Sequence, residues 1–436
     1  MSSGNTRIAL AYGSSVLTAA FPAARTDVIE PRHAAGLPDE RAAFQAALER
    51  PIGAPPLRAW IKPGARVCIV FTDITRATPN ERIIPWLLDA LREVPREHVT
   101  LINGLGTHRP NTPAELEKML TPAVVRGWRV INHEPGNPAA LAEVGRLDNG
   151  RPALIHKAVV DADVRILTGF IEPHFFAGFS GGPKAILPGV AGQDSVEDNH
   201  GAAHIADPAA SFGITAGNPI WEEMARIARA VGPSFLVNVA LNAEKRITGV
   251  FAGELFAAHA AGCAFVKASA MQAVAREYEV VVTTNSGYPL DLNLYQGVKG
   301  LSAGARIVRP GGLLILACEC REGVPAGSPF DRLLRGSPGP AEVLKTISAP
   351  GFRAPEQWQA QILALIGLRA RLMLYSGLPE EAVRAAHFEP CRDIEAAVAR
   401  ELAARGPEAR VAVLPLGPLT IPYRPREPQD GFSAAG

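Results

Sequence analysis

Apolar, β-branched runs of strand length recur along this chain with helix-patterned segments between them, and that alternation limits the fold more than any other feature. "RVCIVF" (66–71), "HVTLING" (98–104) and "DVRILTGF" (163–170) read as buried strands. Between the first two, "NERIIPWLLDALREV" has helical period; "TPAELEKML" follows the second, with Thr112 as N-cap and Pro113 at the first helical position. Repetition of strand, loop and helix predicts an α/β fold with largely parallel sheets. A hairpin, "RIALAYG" and "SVLTAAF", opens the chain. After an alanine-rich helical stretch at 254–276 a second set follows: "EVVVTTNSG", "GLLILACE", "RLMLYSG" and "RVAVLPLG", with "PEQWQAQILALIGLRAR" as a helix among them. Two α/β domains are expected, 1–272 and 273–420, with an active site in the cleft between them. The Pro-, Gly- and charge-rich 421–436 reads as a loose tail.

A hydrophobic content of 47% and a net charge of +1 give no bias toward nucleic acid or a membrane surface, so the expected partner is a small molecule. No apolar run approaches the ~18 residues of a membrane span. The N-terminus lacks the pattern of a signal peptide, which makes the cytoplasm the expected location. Five scattered cysteines, Cys68, Cys263, Cys318, Cys320 and Cys391, contain no C-x-x-C pair and read as reduced, buried thiols.

Three polar loops leave three of the strands: "FTDITRATPN", "GLGTHRPNT" and "GFIEPHFFAGFSGGPK". In open parallel sheets ligands bind beyond the carboxyl ends of the strands, so these loops are expected to place Asp73, Arg76, His108, Arg109, His174 and Lys184 at one rim. His108 lies between a glycine turn and a proline, where a reactive histidine is favoured over a helix cap. His174 fits a catalytic base and a satisfied core histidine equally. "GFSGGPK" lacks the Gly-Lys-Ser/Thr of a P-loop, but its glycines allow amides of Ser180, Gly181 and Gly182 to cradle an anion. Lys184 is either a surface charge or an activated amine that bonds a cofactor. His200 and His204 in "DNHGAAH" have the i, i+4 spacing of a metal pair, although Gly201 weakens the helix that spacing needs.

Taken in order, "DITRATPN", "GTHRP", "EPHFFAGFSGGPK", "DNH" and "LYQGVKG" resemble the lactate racemase family of nickel-pincer-nucleotide enzymes, which racemise or epimerise 2-hydroxyacids. The resemblance runs from about residue 8 to about residue 420. It implies that Lys184 links the nickel-pincer nucleotide, that His200 is the protein ligand to nickel, and that His108 and His174 are paired acid/base catalysts. It further implies substrate contacts from Arg76, Tyr295, Gln296 and Lys299, and site-lining positions for Asp73 and Trp358. His204 receives no role. Other proteins must make the cofactor.

The implied reaction makes these residue types intelligible. A C2 hydrogen beside a carboxylate is barely acidic, so removal as hydride is easier than removal as a proton. A histidine takes the hydroxyl proton, a transient planar 2-keto acid loses its handedness, and a second histidine serves the opposite face. Lactate and malate are both expected substrates, malate needing a second cation such as Arg109 or His204. The alternatives are a pyridoxal-phosphate racemase or lyase with Lys184 as its Schiff-base amine, and a nickel- or nucleotide-binding protein without turnover.

Overall fold

The computed structural model describes residues 4–32 and 34–425. Its chain forms two compact units, one of residues 34 to Ser269 and the other of the residues up to Arg32 joined by those from Ala270 onward.

The unit from 34 to Ser269 is built on a six-stranded sheet in the order Ile247–Glu254, Phe235–Leu241, Val164–Phe170, Val67–Thr72, Val99–Gly104, Arg129–Asn132. Every neighbouring pair is parallel except the first. Val67–Thr72 comes first in the chain, its next two partners lie on one side, and Val164–Phe170 returns on the other. The order therefore reverses between Val67–Thr72 and Val164–Phe170, which opens a crevice at their carboxyl ends. Ile69, Phe71, Leu101, Ile166, Phe235 and Val237 form a fully covered face. The helix Asn80–Ala90 packs on it through Ile83, Ile84 and Leu87, the i, i+1, i+4 stripe of an amphipathic helix. Pro113–Leu120 follows with a full capping box, in which the Thr112 side chain accepts from the Glu115 amide and Glu115 accepts from the Thr112 amide.

The other unit carries an all-parallel sheet in the order Glu389–Pro390, Arg371–Tyr375, Val308–Ala317, Tyr278–Thr284, Val411–Leu414, Thr26–Val28. The expected first domain of 1–272 is corrected here. Thr26–Val28 pairs with Val411–Leu414, and the hairpin Asn5–Tyr12 with Ser15–Pro22 buries Ile8, Leu10, Ala19 and Phe21 against Val280, Val282, Ile315 and Val413. A two-stranded ribbon cannot cover its own apolar face and must dock on a larger sheet, and which sheet is a long-range choice that local pattern does not encode. The tail is corrected in part: Ile421–Tyr423 is a strand paired with Met271–Ala273, while 426–436 lies outside the described residues.

Helix Leu294–Ala305 presses on this sheet through glycine. A Cβ at Gly300 would sit 2.1 Å from the Thr284 carbonyl oxygen and one at Gly304 2.7 Å from Leu314. Gly300→Ala is accordingly expected to cost about 3 kcal/mol, read as a lower urea midpoint at unchanged m-value. All five cysteines are free and buried, and no helix among the described residues is long and apolar enough to cross a membrane.

Candidate active site

The loop after Val67–Thr72 carries Asp73, and the loop after the neighbouring Val99–Gly104 carries His108. Their side chains meet, with His108 Nδ1 2.7 Å from Asp73 Oδ2. Asp73 is buried, whereas the His108 side chain is 44% exposed. Burial pushes the Asp73 carboxyl up, but the hydrogen bond and charge of His108, the Arg76 guanidinium 4.0 Å away and the Thr75 hydroxyl at 2.9 Å together hold it below the ordinary carboxylate range. An ionised carboxylate only accepts, so the contact selects the tautomer in which the neutral His108 ring carries its hydrogen on Nδ1, with Nε2 as the acceptor. Sequence reading placed Asp73 among site-lining residues and missed this role. The signal lay in two loops leaving adjacent strands, one ending in a carboxylate and the other carrying a histidine.

The loop 171–189 contains a short hairpin, His174 pairing with Gly178. His174 is buried against Phe175 and Phe176, and its Nδ1 accepts from the Ala177 amide at 3.3 Å. The Phe176 ring is a hub: His174 lies 4.5 Å from its centroid, the His200 ring 4.9 Å and Lys184 Nζ 5.8 Å. The Gly106 amide donates to the Gly189 carbonyl at 2.9 Å, which ties the His108 loop to the segment that follows Lys184.

Two of the three amides expected to cradle an anion, those of Ser180 and Gly182, already donate within the protein. The Ser180 amide donates to Glu172, the Gly182 amide to Asn238 Oδ1 and the Lys184 amide to Gly181, so three of the turn's donors are spent inside the protein. Glycine is required for another reason: Gly182 has φ +56°, and a Cβ there would lie 2.5 Å from the His259 ring.

His200 and His204 do not share a helix. Gln193–Asn199 ends at His200, and Gly201, with φ −65° and ψ 160°, starts the separate Ala202–Ala206. His204 turns to Asn199 O at 2.9 Å and to Asp148 at 3.7 Å. His200 is buried, and burial first, then the charges of Lys184 and His204, push its imidazole well below the usual range. That leaves it neutral, the form in which histidine ligates metals. No three His, Cys, Asp or Glu side chains among the described residues form an all-protein metal site. Arg109 is engaged by both oxygens of Glu115, at 2.6 and 2.8 Å.

Two buried histidines frame this unit without entering the rim. The His133 Nε2–H donates to Ala191 O at 2.8 Å and the His259 Nε2–H to Ser180 O at 3.0 Å. Burial holds each down to about 4 from 6.5. Below pH 6.5 the unfolded chain binds protons that these folded imidazoles refuse, so stability falls as pH drops toward 4. By pH 4.5 the expected loss is about 2 kcal/mol for each ring. A urea midpoint unchanged between pH 7.5 and 4.5 would contradict this.

In the other unit Tyr295, Gln296 and Lys299 lie half-buried along one side of Leu294–Ala305, at i, i+1 and i+4, while Gly297, Gly300 and Gly304 face the sheet. Tyr295 stacks edge-on to Phe330 at 5.5 Å, and its carbonyl accepts from Gln359, the neighbour of the half-buried Trp358.

Parallel sheets with reactive side chains beyond the carboxyl ends of neighbouring strands, at a switch point, define the class of open-sheet α/β proteins that bind small molecules there. Residues 12–213 match the family model "Lactate racemase N-terminal domain", and residues 273–421 match "Lactate racemase C-terminal domain". The chain belongs to the lactate racemase family. It is 34% identical over 383 residues to the lactate racemase of Lactiplantibacillus plantarum, covering 87% of this chain and 90% of that one. It is 33% identical over 421 residues to that of Thermoanaerobacterium thermosaccharolyticum, covering 95% and 98%. The structure of the lactate racemase apoprotein from the latter organism superposes with a TM-score of 0.90 at 32% identity, over 96% of this chain and all of that one. A protein from Thermotoga maritima, at 20% identity and a TM-score of 0.64 over 87% and 97%, shares the fold.

Proposed function

We propose that this chain racemises a small 2-hydroxyacid, lactate before malate, using a nickel-pincer nucleotide. The observation that supports this reading most is the Asp73–His108 pair, one loop away from the Phe176 hub where His174, Lys184 and His200 gather. Both curated relatives named above are lactate racemases. Malate would need a second cation, and Arg109 is already neutralised by Glu115.

The residues fit the cofactor. His200 offers one neutral, buried imidazole with no second protein ligand from His204, which suits a metal whose remaining ligands come from a non-protein group. Lys184 would carry the nucleotide on an amine held over an aromatic ring. When bound, the cofactor supplies an acceptor for the C2 hydrogen as hydride.

This chain's own residues manage the carboxylate and the protons. Arg76 presents a planar fork suited to the substrate carboxylate. His108 takes the hydroxyl proton at Nε2, and the imidazolium so formed is stabilised through Nδ1–H by Asp73. His174 returns a proton from Nε2 to the oxygen. To do so as an imidazolium it must carry hydrogen on both nitrogens and release the 3.3 Å Ala177 contact, which is long and therefore weak. In the opposite direction the two exchange duties.

The test is racemisation of enantiopure lactate in heavy water by enzyme produced together with the cofactor-making proteins. Product that keeps its original C2 hydrogen is expected; substantial deuterium at C2 after one inversion would overturn the reading in favour of direct proton abstraction. His200→Ala should lower bound nickel severalfold while His204→Ala leaves it intact, measured by metal analysis. Equal loss in both would return the pair to a two-histidine site.

A further inference from the structure

His108 works only if its loop holds it against Asp73, and three asparagines surround the anchor of that loop. Asn111, three residues beyond His108, is buried. Its Oδ1 accepts from Asn103 Nδ2 at 2.8 Å and from the Ile74 amide at 3.4 Å. Its main chain is gripped by Asn132, whose Nδ2 donates to Asn111 O at 2.9 Å and whose Oδ1 accepts from the Asn111 amide at 3.3 Å. Asn103 Nδ2 also donates to Asn132 Oδ1 at 3.0 Å, which closes a ring of three amides.

The placement of this ring is specific. Asn103 lies on Val99–Gly104 and Asn132 on the neighbouring Arg129–Asn132, so two strands of the rigid sheet hold one loop residue. Through Ile74 the same Asn111 oxygen reaches the residue next to Asp73. Asn111 thus sits on the His108 loop with side-chain hydrogen bonds both to the sheet and to the Asp73 loop. Its Nδ2 engages Glu115 at 3.2 Å, the same carboxylate that caps Pro113–Leu120. The other end of the loop is fixed by the Gly106–Gly189 bond. An apolar residue at 111 would take an acceptor from Asn103 Nδ2 and from the Ile74 amide, and a ring of buried amides fixes orientation through directional hydrogen bonds as packing alone does not.

We propose that Asn111, held by Asn103 and Asn132, is a positioning residue that sets the Asp73–His108 contact. Its effect is expected chiefly in the proton-transfer step: Arg76, although 4.0 Å from Asp73, makes no hydrogen bond to the three asparagines, so KM should move less than kcat. This rests on the reading of His108 as an acid/base group, and the controls separate the two.

Steady-state kinetics of cofactor-loaded Asn111→Ala should show kcat lowered about thirtyfold with KM within about twofold, since small misplacements of a reacting group are costly in the chemical step. In an Asp73→Asn background the same change should cost less than threefold, because the contact it serves is already gone. Asn132→Ala, at a half-buried position that tolerates truncation, should reproduce the kcat effect at smaller size and keeps the test available if Asn111→Ala does not fold. Melting temperature is followed in parallel: a lower Tm with kcat unchanged in both variants would reduce the ring to a structural role and overturn the proposal. Additive losses in the double variant would overturn it as well. Should His108→Ala itself retain full activity, the reading of His108 fails before the ring is tested.

Discussion

Replacing His108 or His174 by alanine is expected to lower racemisation about a thousandfold or more in both directions while the protein stays folded and keeps its nickel. The magnitude follows from the loss of a positioned proton carrier, which contributes on the order of 10²- to 10⁴-fold. In the proposed mechanism the base for one enantiomer is the acid for the other, so both directions should fall together. Folding is spared for a different reason at each site. The His108 side chain is 44% exposed, so its truncation opens no cavity, and the buried Asp73 carboxylate loses one partner but keeps Arg76 and Thr75, a cost of roughly 1–2 kcal/mol. His174 is buried beside Phe175 and Phe176, and its removal leaves a gap costing roughly 1–2 kcal/mol without touching the sheet. Initial rates from each lactate enantiomer, with nickel content measured on the same preparation, decide the matter. Turnover above a tenth of wild type in either variant would remove that histidine from the mechanism.

The strands and the rim loops were legible because both signals are local. A run such as "VCIVF" has one stable fate in a protein of this size, and the polar loops after it follow from the rule that parallel strands end at a common edge. What escaped were contacts across long sequence distances. The opening hairpin reads as a hairpin, yet its partner sheet lies some 250 residues away, so 1–32 was assigned to the wrong unit. The glycines of "GFSGGPK" announce an unusual backbone but not its cause, and the cause is the His259 ring and Asn238 pressing from elsewhere in the chain. Gly201 carried its own warning, since glycine favours ending a helix over continuing it, and the structure breaks the helix there. Asn111 gave no signal at all, because a lone asparagine before a helix cap looks like ordinary turn chemistry until Asn103 and Asn132 are seen around it.

Asp73→Asn should be as damaging as loss of His108 itself, even though it changes one atom of a residue whose proposed action runs through His108. In the native site the carboxylate accepts from Nδ1–H and fixes the tautomer with Nε2 bare. An amide at 73 can turn its NH₂ toward Nδ1 and donate, which selects the opposite tautomer, with hydrogen on Nε2 where the hydroxyl proton must arrive. The imidazolium formed in the reaction also loses its counter-charge. Together these are expected to lower kcat on the order of 10³- to 10⁴-fold, with KM little changed. Alanine at the same position removes the counter-charge but leaves both tautomers accessible, so Asp73→Ala should retain several times more activity than Asp73→Asn. That ranking is opposite to what packing predicts, since asparagine preserves the shape of a buried side chain and alanine leaves a cavity. The nitrogen chemical shifts of His108 in labelled protein give a second readout, Nδ1 protonated in the native enzyme and Nε2 protonated in Asp73→Asn. Alanine more damaging than asparagine, with the native tautomer kept in both, would show that Asp73 supports the loop and does not set the proton.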